Sequence, residues 1–139
     1  MSGDRLVPDD PREWLNRARS NLLRARLEVE GVYLEDLCFD AQQAAEKAIK
    51  AVFIYREVHF PYVHDLVELF TLLEQAGQPI PESVKQAAKL TRFAVVTRYP
   101  GLAEPVTREE YEEAVLLAEA VVQWAEEVLQ ASSPPSSEP

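Results

Sequence analysis

Apolar positions recur along most of this chain with the period of an α-helix, and the pattern is broadest between Asp36 and Glu57. There Ala41, Ala45, Ala48, Val52 and Tyr55 share one face, with Leu37, Ala44 and Ala51 forming a second stripe beside it. An apolar arc that wide predicts a central helix, approached closely by its neighbours at its alanines. Gln42, Gln43, Glu46, Lys47 and Lys50 are left as its polar edge.

The other elements follow from similar signals. Asp10, Pro11 and Glu13 give an N-cap, a proline at the first helical position and a capping-box glutamate, ahead of Trp14, Ala18, Leu22, Ala25 and Val29 at helical spacing; Gly31 supplies the stop. Pro61 ends the central helix by removing a backbone donor. Asp65 and Glu68 have capping-box spacing, so a third helix is predicted over Leu66–Gln75 with Leu66, Leu69, Phe70 and Leu73 inward, closed by Gly77. A fourth should start near Glu82, turn Val84, Ala88, Leu90 and Val95 inward and fade around Thr97. The last opens at the capping box of Thr107 and Glu110, with Tyr111, Val115, Ala118, Val122 and Ala125 as its inner stripe.

No stretch alternates with the period of a strand. The expected fold is therefore all-α, an up-and-down bundle of four long helices and one shorter helix. Residues 1–9 read as a flexible lead, 10–131 as the bundle and 132–139 as a disordered tail, since SSPPSSEP cannot bury apolar surface.

Three blocks carry a family resemblance. AQQAAEKAIKA at residues 41–51, HDLVELF at 64–70 and TRYPG at 97–101 occur in the order found in the HEPN domain, which the chain resembles from about Trp14 to Leu129. The resemblance implies the same helical bundle, usually a homodimer, acting with a minimal nucleotidyltransferase as half of a toxin–antitoxin pair, and holding a nucleotide or an RNA segment. HEPN ribonucleases resemble one another in an Arg-x(4-6)-His element near the last helices. This chain has no histidine after His64, and Arg56 precedes His59 and His64 at other spacings, so the resemblance implies a noncatalytic module. The competing readings are a ribonuclease with a displaced histidine and a plain helical scaffold.

Composition narrows the chemistry further. A formal net charge of -10 over 139 residues repels a phosphate backbone on average, leaving any anion binding to a local basic patch. One such patch is Arg98 beside Tyr99, a guanidinium for phosphate and a ring for base stacking; Arg98 could equally pair with Glu46 of the central helix. His64 and Asp65 order and cap the start of the third helix beside this candidate site, and Lys47 adds a second positive charge. The first helix carries Arg12, Arg19 and Arg26 every seven residues, with Arg17 and Arg24 beside them. This stripe can bind phosphate or match the glutamates of the last helix. Glu109, Glu110, Glu112 and Glu113 open that helix, where the dipole favours them, and need no catalytic role.

His59 and His64 do not have the spacing of a zinc motif, and no phosphate-binding glycine loop or nucleophile elbow occurs, so no metal or cofactor is expected. The single Cys38 lies among apolar neighbours as an inert thiol. Without an apolar run of roughly 18 residues or a signal-peptide core, the chain is expected in the cytoplasm.

Overall fold

The computed structural model describes residues 9–94 and 105–131. Residues 1–8 of the lead, the tail, Val95, Thr97 and the Arg98–Tyr99 pair lie outside the described residues. Five helical elements make up the described fold: α1 (Pro11–Ala25), α2 (Leu34–Tyr55), α3 (Leu66–Gln75), α4 (Glu82–Lys85) continued by a 3₁₀ segment (Gln86–Phe93), and α5 (Arg108–Ala131). The described residues contain no strand, and the fold is the all-helical bundle expected from the periodicity.

Helix α2 is the axis of the bundle. Ala41, Ala44, Ala45, Ala48, Ala51 and Val52 are fully buried, as are Ile49 and Phe53 on the remaining arc. Alanines let α1 and α5 pack close to it from two sides. α1 runs antiparallel to α5: Arg19 pairs with Glu126 and Arg26 with Glu119, each at 2.6 Å, while Arg108 near the start of α5 clasps Glu28. The arginine and glutamate stripes therefore match between neighbouring helices. His64 meets Glu46, whereas Arg56 reaches the carbonyl of Ala76 and the side chain of Gln78. The loop after α2 thus returns along that helix, and α3 climbs beside it in the same sense.

The caps explain the boundaries. Asp10 accepts from the Arg12 amide and Asp65 from that of Val67, and Thr107 and Glu110 close a reciprocal capping box at 2.9 and 3.0 Å. At the end of α3, Gln78 N–H donates to Leu73 and Gly77 N–H to Glu74, a Schellman motif with Gly77 left-handed at φ 96°.

Three expectations are corrected. α1 stops at Ala25 instead of Gly31, and the Tyr111 hydroxyl donates to the Ala25 carbonyl at 2.6 Å, serving one of the acceptors that a helix end leaves without a partner in the helix. Val29 consequently lies exposed, and Gly31, at φ 94°, belongs to the turn leading into α2. The fourth element is only one α-turn before it tightens to 3₁₀. Val84, Ala87, Leu90 and Phe93 are its buried residues, spaced by three, so the tighter winding puts them on one face and leaves Ala88 half-buried. Finally, Gln42, Glu46 and Lys50 are buried and form no exposed polar edge.

The local geometry makes two expectations testable. α2 ends in its own Schellman motif, with Val58 N–H donating to Phe53 and Glu57 N–H to Ile54, but its left-handed residue is Glu57 at φ 59°. Glu57→Gly removes the Cβ clash of that conformation and should raise stability by about 0.5–1 kcal/mol in urea unfolding; a loss of stability would mean that the Glu57 side chain supports the loop. Cys38 is fully buried, and burial above all pushes its thiol up to about 12. In the folded protein at pH 8 it should resist a disulfide exchange reagent and react fully only in denaturant. Rapid labelling of the native state would contradict this packing.

Candidate functional site

The centre of the candidate site is one buried carboxylate. Gln42, Glu46 and Lys50 stand four residues apart on α2, a spacing that stacks them along one stripe. Gln42 donates to Glu46 Oε1 at 2.7 Å and Lys50 Nζ to Oε2 at 2.7 Å. From the loop, His64 Nδ1 lies 2.9 Å from Oε1. Burial is the largest influence on Glu46 and raises its pKa, yet the bonds from Lys50, His64 and Gln42 together outweigh it and hold the carboxyl below its ordinary value. Because Glu46 is ionised it can only accept, which assigns the proton of this contact to His64 Nδ1 and leaves Nε2 as the free nitrogen of a ring that is 57% exposed.

Aromatic packing completes one wall. Phe60 stands edge-on to Trp14 and Phe53, and Lys50 Nζ lies 5.2 Å from the Phe60 ring centre. The ammonium is thus held between a carboxylate and an aromatic face. Beyond His64, the Leu66 amide donates to Thr91 Oγ1 at 3.1 Å, so the 3₁₀ segment shares the capping of α3 with Asp65.

The expected site residues fall into separate groups. His64 and Asp65 stand together at the start of α3. Lys47 faces α1, where its Nζ donates to Asn21 Oδ1 at 2.8 Å. Lys47 and His64 belong to two polar networks on adjoining stripes of α2. Arg98 and Tyr99 lie outside the described residues. Sequence reasoning does not find Gln42, Glu46 and Lys50 as an internal network, although a signal exists: a four-residue polar repeat on a helix otherwise apolar nearly all round. Asn21 has no comparable signal. His59 is exposed, and among the described residues no group of three acidic, histidine or cysteine side chains could hold a metal.

This geometry sets a pH dependence. A carboxyl whose folded pKa is depressed contributes stability above its unfolded value and loses it as pH falls through the lower folded value. Wild type should therefore lose part of its stability on acidification below about pH 4.5, the ordinary glutamate range. Glu46→Gln should flatten that component and cost roughly 3 kcal/mol at pH 7 by leaving Lys50 buried without its counter-ion. An unchanged pH profile with a cost near zero would show that the pair contributes nothing.

Comparison with known proteins places the fold. The chain is similar to TT1696 from Thermus thermophilus, at 36% identity with a TM-score of 0.70, over 86% of this chain and 98% of that one. It is also similar to ST0689, an archaeal HEPN homologue, at 25% identity and a TM-score of 0.69, over 86% and 97% of the two chains. No curated protein matches it. The HEPN domain model matches residues 11–128, from the first residue of α1 almost to the end of α5, and the chain belongs to the HEPN domain family.

Proposed function

We propose that this HEPN protein works by binding, as a noncatalytic homodimeric module that acts with a minimal nucleotidyltransferase in a toxin–antitoxin-like pair and takes a nucleotide or an RNA segment as ligand. The observation that carries the reading is an apolar surface at the α1–α5 seam. Leu23, Leu27 and Leu116 are 61%, 59% and 65% exposed. Arg26 and Glu119, themselves paired, line two adjoining shallow depressions, one bordered by Leu23 and the other by Leu116. Exposed leucines on either side of an ion pair whose charges satisfy one another suit a protein interface. In this reading Arg98, Tyr99, His64, Asp65 and Lys47 contact the ligand.

A second reading has one observation in its favour. A half-exposed histidine whose Nδ1–H is fixed by a buried carboxylate presents Nε2 as an oriented proton acceptor. That arrangement of Glu46 and His64 would serve a ribonuclease with a displaced histidine.

One set of variants separates the two. Tagged wild-type protein, purified gently from its own cells, should carry a nucleotidyltransferase in near-equal amount and run as a dimer. Leu23→Glu combined with Leu116→Glu should weaken association about tenfold or more by light scattering, as expected for charges placed on an apolar interface. Unchanged association would remove this surface from the account. Cleavage of RNA by wild type that disappears in His64→Gln would favour the enzyme.

A further inference from the structure

The seam between α1 and α2 carries a polar cluster that the Glu46 network does not use. Arg17, Asn21 and Arg24 stand at helical spacing on one stripe of α1, opposite Asp40 and Lys47 of α2. Asn21 bridges the helices, accepting from Lys47 Nζ at 2.8 Å and donating to Asp40 Oδ1 at 3.0 Å. Arg24 reaches Asp40 at 3.4 Å, and Arg17 is held by Glu13 at 3.0 Å.

The signs are sorted by depth. The Glu13 and Asp40 side chains are only 10% and 9% exposed, whereas those of Arg17 and Arg24 are 54% and 66% exposed. The carboxylates form the floor and the guanidiniums the rim, so a solute approaching the seam meets cations. Lys47 stands between them with an amide as its hydrogen-bond partner and, among the described residues, no carboxylate in ion-pair contact, which leaves two of its three N–H donors for a ligand. Its pKa is lowered first by burial and then by the nearby Arg17 and Arg24, against the opposing pull of Glu46 and Asp40. The exposed guanidiniums of Arg17 and Arg24 thus flank Lys47 with positive charge on the solvent side, in a chain whose net charge is -10.

We infer that the α1–α2 seam is a seat for a single phosphate group on a small molecule, held by Lys47 Nζ and by the outward N–H groups of Arg17 and Arg24. Planar guanidinium forks suit phosphate oxygens, and a half-buried ammonium supplies a point charge at the base. The seat joins one ammonium to two guanidiniums, a short cationic rim, and the acidic remainder of the protein repels a longer polyanion. The inference rests on the binding reading above for Lys47, and narrows its ligand from a nucleotide or RNA to a terminal phosphate.

Inorganic phosphate and pyrophosphate are the probes, titrated into the full chain at pH 7 and low salt and followed by amide and side-chain NMR shifts. Saturable shifts should centre on Arg17, Asn21, Arg24 and Lys47, and Lys47→Met should weaken binding about tenfold, as the loss of one charge-assisted contact implies. Should Lys47→Met not fold, Arg17→Gln and Arg24→Gln, which alter exposed guanidiniums, give the decision through a several-fold weakening each. Absence of saturation, or affinity unchanged in these variants, overturns the seat. An RNA oligomer binding more tightly than pyrophosphate, with a steep salt dependence and loss in the same variants, overturns the single-phosphate assignment. Retention of the protein partner by a chain that binds no phosphate would refute the seat and leave the association reading standing.

Discussion

A carboxylate buried in the middle of α2 sets the constraint on which much of this bundle depends. An ionised Glu46 in an alanine-lined interior is costly unless its oxygens are bonded. Gln42 and Lys50 meet that need from the same helix, and His64 meets it from the following loop. The third bond has architectural effect. It draws the loop back along α2, fixes where Asp65 caps α3 and brings that cap to Thr91 of the 3₁₀ segment. A residue inside the second helix thereby helps position the third and fourth elements.

The two sides of α1 are specialised in different ways. Towards α5, Arg19 and Arg26 are engaged by glutamates in exposed pairs, which fix register more than they stabilise. Towards α2, the acids are buried and the arginines remain outside, so the same residue type yields a locally cationic surface. Burial and depth, more than the number of arginines, separate the structural side of the helix from the side suited to an anion.

Much of the architecture is legible in the sequence because it rests on local rules. Asp10, Asp65 and Thr107 cap where their side chains and spacing predict, Gly77 closes α3, and all four inward residues of α3 are buried. What escapes depends on contacts distant in the chain. The end of α1 is met by the hydroxyl of Tyr111, 86 residues away, and no signal near Gly31 reveals that contact. The 3₁₀ winding is foreshadowed by a spacing of three through Val84, Ala87, Leu90 and Phe93, but that spacing also fits part of a helical stripe. His64 and Asp65 are recognisable from the HDLVELF block, whereas the carboxylate that holds His64 reads as part of an outer edge. Polar residues on a helix buried on every side look no different from those on a solvated face until the partner from the loop is known.

A double-mutant cycle between Glu46→Gln and His64→Phe, measured by denaturant unfolding at pH 7, tests this dependence most directly. If the buried carboxylate and the loop histidine act as one unit, the two substitutions should be non-additive by about 1 kcal/mol or more, within the range for groups in one hydrogen-bond network. Additive effects would contradict the account, since they would mean that Glu46 and the return of the loop are energetically independent.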